Sequence, residues 1–123
     1  MILVDTSVWI DHLRQGDATL TKFLNTGQVY IHPFIIGELA LGNLRQRTTI
    51  LDTLNNMPSS TIAADEEVMV FINQHKLYGL GIGYIDSHLL ASVRLTPGTL
   101  LWTLDKQLRA VANQLGLLAV LEH

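Results

Sequence analysis

The chain opens MILVDTSVWI (residues 1–10), an apolar run that meets a carboxylate at position 5. The run over 1–4 is short, aliphatic and uninterrupted, as in a strand covered on both faces, and the hydroxyl residues Thr6 and Ser7 then open a helix. Asp5 therefore stands at the carboxyl end of a buried strand. No Lys or Arg lies within eight residues of it on either side, so compensation for its charge must come from a distant segment or from a bound ion.

Further apolar runs at 28–31, 59–63, 100–103 and 117–121 read as strands. The segments between them, among them PFIIGELALG (33–42), DEEVMVFINQHKLY (65–78), YIDSHLLASVRL (84–95) and DKQLRAVANQLG (105–116), carry helical periodicity. Pro33 suits a first helical turn, Asp65 followed by Glu66 and Glu67 suits a cap with favourable dipole charges, and Gly116 suits a helix exit. Strands alternating with helices imply right-handed crossovers and a mainly parallel sheet covered on both faces, an α/β fold. A length of 123 residues fits one domain, 1–123, with no internal repeat.

Apolar residues make up 48% of the chain and charged ones 15%, a balance that leaves apolar surface for a partner. Cysteine is absent, which excludes disulfides and zinc–thiolate sites. No basic leader precedes the first apolar run and no stretch is long enough to cross a bilayer, so the expected location is the cytoplasm, away from membranes. The net charge of −3 argues at first against a nucleic-acid partner. If four of the eleven acids share one pocket, however, the remaining seven face eight basic residues, and the outside of the protein stands near +1.

Four acids are out of place on ordinary grounds. Glu38 is the single charged residue of PFIIGELALG, with no Lys or Arg three or four positions away, in a helix that reads as apolar all round. Unpaired burial there would cost several kcal/mol or raise its pKa; the plainer alternative is a Glu reaching solvent along one edge. Asp86 shares its helical face with Ile82, Leu89, Leu90 and Val93, so it points toward the core, although it also suits a cap near the helix start. Asp105 follows the strand at 100–103 and precedes a helix; capping explains it as well as chemistry does, and only its place at a strand's carboxyl end favours chemistry. The remaining acids have plain roles: Asp17 and Asp65 cap, Glu66 and Glu67 sit in a first turn, and Asp11, Asp52 and Glu122 are solvated.

Carboxylates gathered at one place cannot all stay ionised unless they bind protons or a hard cation. Oxygen-only ligands select Mg²⁺ or Mn²⁺ over zinc, and such an ion keeps waters that a substrate phosphate can displace. The chemistry this suggests is metal-assisted hydrolysis of a phosphodiester.

The order LVDTSVWI, PFIIGELALG, GIGYIDSHLLAS and LWTLDKQL resembles the PIN-domain ribonucleases, in particular the VapC-type toxins of toxin–antitoxin pairs, from Asp5 to the last strand. That resemblance implies a three-layer α/β/α fold and a magnesium- or manganese-dependent endoribonuclease. Asp5, Glu38, Asp86 and Asp105 match the family's acidic quartet; Thr6, Ser7 and Thr103 match the hydroxyl residues around it. An RNA substrate, a cognate antitoxin and a homodimer are implied in the same way. Many relatives carry a further acid where this chain has Gln107, so one firmly held ion is expected, with a second recruited by substrate.

Other features carry less. The five histidines show no ligand spacing, Gly79, Gly81 and Gly83 lack the Lys-Ser/Thr pair of a phosphate loop, and Trp9, Phe34 and Trp102 read as core or interface aromatics. Arg45, Arg47 and Lys106 are the basic residues best placed for RNA phosphates, with Arg14 and Arg109 behind them. A phosphatase with Asp5 as nucleophile would need an acid where Ser7 stands. A different class of function, an acidic pocket that docks a basic partner segment without turnover, stays open beside the nuclease.

Overall fold

Three parallel strands form the centre of the computed structural model, which describes residues 1–121; Glu122, read as solvated, and His123 lie outside the described residues. β1 (Ile2–Val4) is the middle strand, flanked by β2 (Val29–Tyr30) and β3 (Leu100–Trp102) in the order β2-β1-β3. Ile2 pairs with Val29 and Leu100, and Val4 with Trp102. Leu3 and Val4 have no exposed surface, as expected of a strand covered on both faces.

The two outer strands expected at 59–63 and 117–121 shrink to single bridges, Ile31 with Ser59 and Leu101 with Leu118. The central strands are only two or three residues long, so each edge segment meets one ladder position before the chains diverge. The parallel pairing expected from the alternation is present, but the edges of the sheet are short, which also limits edge-to-edge association.

Around the sheet lie α1 (Thr6–Gln15), α2 (Ala18–Asn25), α3 (Pro33–Ala40), α4 (Arg47–Asn55), α5 (Asp65–His75), α6 (Tyr84–Arg94) and α7 (Lys106–Gln114). The result is a three-layer α/β/α arrangement in which α3 packs on α1 and α4, α5 packs on α6, and α6 packs on β3. Helix α2 is too short and threonine-rich to announce itself by periodicity, although Asp17 caps it as expected, accepting from the Leu20 N–H at 2.9 Å. Asp65 differs from expectation: Ala64 is the cap residue, and Asp65 sits in the first turn with Oδ1 3.3 Å from His88 Nε2. Nor is α3 apolar-buried all round: Ile35 and Leu39 are buried, whereas Gly37 is exposed and Leu41, just past its end, is 91% exposed. Truncating a fully buried member of the single core, such as Leu3 or Leu89, to Ala costs about 2–5 kcal/mol.

Among the polar residues buried in this core is a histidine. His32 is fully buried between β2 and α3; its Nδ1 accepts the Phe34 N–H at 3.1 Å, which caps α3 and places the ring proton on Nε2, 3.2 Å from Ser92 Oγ. Burial, with His88 as the lesser cause, lowers its pKa from 6.5 to about 4. The unfolded chain therefore binds a proton that the folded one refuses between those two pKa values, so the contribution to stability is complete above pH 6.5 and is lost as pH falls toward about 4. Urea midpoints measured from neutral pH downward should show a loss from this group of roughly 3 kcal/mol across that window, absent in His32→Gln.

Candidate active site

The carboxyl end of β1 is where the strand's aspartate meets its neighbours. Asp5 continues the β1–β3 ladder, its N–H donating to the Trp102 carbonyl at 2.9 Å, and its own carbonyl accepts the first bonds of α1 from Val8 and Trp9. Its side chain takes no part in capping. Instead Oδ2 accepts from Ser7 Oγ at 2.9 Å and from Thr103 Oγ1 at 2.7 Å. Those hydroxyls are in turn held by backbone donors, Leu104 N–H to Ser7 Oγ and Asp105 N–H to Thr103 Oγ1. Thr103 therefore joins Asp5 and Asp105 through one oxygen atom.

The other three acids are held in a related way. Asp105 caps α7, with Oδ1 accepting from Leu108 N–H at 2.9 Å, so the capping account of this residue is correct and leaves its second oxygen free. Asp86 lies in the first turn of α6 and reaches back to the Gly83 N–H through Oδ2 at 3.0 Å. Glu38 is half-buried near the end of α3, and Thr6 Oγ1 donates to its Oε1 at 2.8 Å. Asp5, Glu38, Asp86 and Asp105 thus each commit one oxygen to protein donors, while the other accepts no hydrogen bond among the described residues. None of the four is paired with Lys, Arg or His among those residues.

Electrostatics connects three of the four. The pKa of Asp86 is raised chiefly by burial and further by the charges of Asp5 and Asp105, against the lowering effect of the Gly83 hydrogen bond. Asp5, Asp86 and Asp105 come from three distant segments, and the first and last act on the second; Glu38 is not among the causes. Among the described residues no three acidic or histidine side chains are already drawn together at metal-ligand spacing. The chemistry of the donors nevertheless suits a hard cation: anionic oxygens only, one free per residue, with no basic side chain competing for them.

The turn that delivers Asp86 needs its glycines. Gly81 has φ +79°, and a Cβ there would come within 2.8 Å of the Gln107 side chain, so the turn and the start of α7 are in close contact. This contact, which ties the approach to Asp86 to the helix that Asp105 caps, was not foreseen; the positive-φ glycine is the signal that points to it.

Beside Glu38 opens a groove of about 360 Å³ whose wall includes Arg14 and Arg45 over an apolar floor of Ile10, Leu13, Leu39 and Ile50. The floor residues belong to three different helices or their neighbours, which hid the groove from sequence reading. Arg47 is otherwise engaged, its Nη2 donating to the Ala40 carbonyl at the end of α3. Lys106 is exposed in the first turn of α7, next to Asp105. Of the three basic residues expected to meet phosphate, Arg45 and Lys106 are the freer two. A larger hollow of 550 Å³ lies against α5 and the second half of α6, lined by Val70, Phe71 and Leu95 and by none of the four acids.

The sequence of the PIN domain family matches residues 2–114, a span that includes all four acids. Ribonuclease VapC32 of Mycobacterium tuberculosis, in strains CDC 1551 / Oshkosh and ATCC 25618 / H37Rv, is 45% identical over 116 residues, which cover 94% of this chain and 94% of that protein. Agreement over nearly the whole length of both chains, together with the parallel β2-β1-β3 sheet under two helical layers, makes this chain a member of the PIN-domain family, of the VapC type.

Proposed function

We propose that the protein is an endoribonuclease dependent on Mg²⁺ or Mn²⁺, the toxin of a toxin–antitoxin pair, with Asp5, Glu38, Asp86 and Asp105 as its metal-binding and catalytic carboxylates. The observation that carries this reading is the common state of those acids: one oxygen tethered, one free, and, among the described residues, no Lys, Arg or His paired with them. The likeness to a protein named as a ribonuclease supports the reaction class. When bound, the divalent ion supplies charge for the phosphate and a coordinated water of lowered pKa.

The chain's own groups have separable tasks in this reading. Ser7 and Thr103 hold the Asp5 carboxylate through Oδ2, which leaves Oδ1 as its uncommitted oxygen. Thr6 does the same for Glu38. Arg45 and Lys106, with Arg14, provide phosphate contacts flanking the acids, and Arg47 acts through the end of α3. The groove beside Glu38, basic at its wall and apolar in its floor, is the place for a segment of the cognate antitoxin. The toxin acts in the cytoplasm, and exposed apolar residues such as Met69 and Val70 are available to a homodimer contact.

The deciding assay incubates purified protein with single-stranded and structured RNA, with Mg²⁺ or Mn²⁺ and with EDTA. Metal-dependent cleavage is expected, falling at least about a hundredfold in Asp5→Asn and in Glu38→Gln, a loss no smaller than that from removing a ligand's supporting partner. Cleavage that persists in EDTA or in Asp5→Asn removes this function. A folded protein that cuts no RNA under any condition favours instead a non-catalytic acidic pocket that docks a basic segment.

Thr103→Val tests the orientation of Asp5 separately. It withdraws a donor from a buried carboxylate and orphans the Asp105 N–H, so it should cost about 1–3 kcal/mol of stability by urea denaturation and lower kcat more than it changes KM. Thr103→Ser, which keeps the hydroxyl, should restore most of both.

Asp86→Asn should move stability the other way. A carboxyl whose pKa is raised on folding stabilises the fold only while protonated, so its ionisation at neutral pH works against the metal-free protein. Calorimetry without metal should therefore show a melting temperature for Asp86→Asn equal to or above that of the unsubstituted protein near pH 7, with the difference vanishing in acid.

A further inference from the structure

Two of the four carboxylates sit on different helices, Glu38 on α3 and Asp86 on α6, and ring and polar contacts link these helices at two levels. At the first, His32, the cap residue of α3, lies through Nε2 3.2 Å from Ser92 Oγ. At the second, the Phe34 ring meets the His88 ring with centroids 4.7 Å apart. Advancing along α3 from 32 to 34 corresponds to retreating along α6 from 92 to 88, so the helices run antiparallel where they touch. Past these contacts α3 runs on toward Glu38 and α6 runs back toward Asp86, so both acids lie on the same side of the His32–Ser92 contact. Each carboxylate is six positions from the His32–Ser92 contact, about 9 Å along its helix in either case.

We propose that the buried His32–Ser92 hydrogen bond is a strap that sets the register of α3 against α6 and thereby holds Glu38 opposite Asp86, which makes His32 a positioning residue for the site. The proposal rests on the metal-site reading of those two acids. Both strap residues are fully buried, where an aliphatic pair would pack without any loss of hydration. An aliphatic contact, however, tolerates sliding by a fraction of a turn, whereas this bond is satisfied at one register. Its surroundings reinforce that choice. The same imidazole caps α3 through Nδ1, and Ser92 Oγ also accepts the Ala63 N–H at 3.1 Å, so the hydroxyl is fixed from two sides. A satisfied polar network in a core specifies geometry more sharply than it adds stability.

Three variants divide the imidazole's two jobs. His32→Asn retains an acceptor at the position of Nδ1 but cannot reach Ser92; His32→Gln retains a donor at the position of Nε2 but gives up the cap; Ser92→Ala removes the strap's acceptor. The chain has no cysteine, so nitroxide labels at Glu38→Cys and Asp86→Cys report the separation of the two helices without background and without metal. Dipolar broadening should change in His32→Asn and in Ser92→Ala and stay close to parental in His32→Gln. In cysteine-free protein, Mn²⁺ binding measured by calorimetry should weaken roughly tenfold in the first two variants and recover in His32→Gln, with kcat for RNA following Mn²⁺ affinity and KM unchanged. A purely structural role would instead make activity follow the folded fraction alone. A folded His32→Asn or Ser92→Ala protein with either a parental dipolar spectrum or a parental Mn²⁺ affinity overturns the proposal. If the unsubstituted protein neither binds Mn²⁺ nor cuts RNA, the functional reading falls, and the dipolar spectra alone decide the strap.

Discussion

A carboxylate at the end of a fully buried strand needs hydrogen-bond donors, because leaving it ionised and unsatisfied would cost several kcal/mol. Asp5 obtains them from two hydroxyls, and the consequences spread outward. Ser7 and Thr103 can reach Asp5 Oδ2 only if α1 begins immediately after β1 and if β3 lies beside β1 in register, as the Val4–Trp102 pairing provides. Because the same hydroxyls accept the N–H groups of Leu104 and Asp105, the loop leaving β3 is held where α7 starts. One acid thus couples the strand order, the start of two helices and the place of a second acid.

The helix caps show how little of this arrangement is separate from ordinary folding. Asp105 caps α7 and Asp86 closes back on the residue before α6, each using a single oxygen. A monodentate cap satisfies the helix end and leaves the other oxygen for chemistry, so the structural and functional accounts of such residues do not compete. Asp5 differs, since its backbone alone starts α1 and its side chain bonds Ser7 and Thr103 instead.

The four acids stand out in the sequence for a physical reason: each is a charge in apolar company or at a strand end, and Asp5, Glu38 and Asp86 have no basic neighbour at helical spacing, whereas Asp105 has Arg109 four positions on. The parallel sheet was legible because β1, β3 and their neighbours are continuous aliphatic runs. Edge pairing was not, since the runs at 59–63 and 117–121 look like those at 1–4 and 100–103, and only the brevity of the central strands limits them to single bridges. Histidine function was invisible for another reason. Nothing around His32 in sequence distinguishes a buried cap from a surface ring; its meaning depends on Ser92, sixty positions away. Arg47, expected to meet phosphate, is also used by the fold to close a helix, which its sequence position does not reveal.

Helix ends carry the electrostatic argument one step further. Asp5, Asp86 and Asp105 each sit at the cap or in the first turn of a helix, α1, α6 and α7, so three positive dipole ends accompany the acidic group. At about half an elementary charge apiece, these ends offset roughly 1.5 of the four negative charges, leaving a deficit of about 2.5. Glu38 gains nothing from this effect, being near the carboxyl end of α3, where the dipole is unfavourable, and it depends on Thr6 instead. In the reading of these acids as a metal site, the backbone offsets part of their charge and leaves a remainder close to that of a single divalent cation.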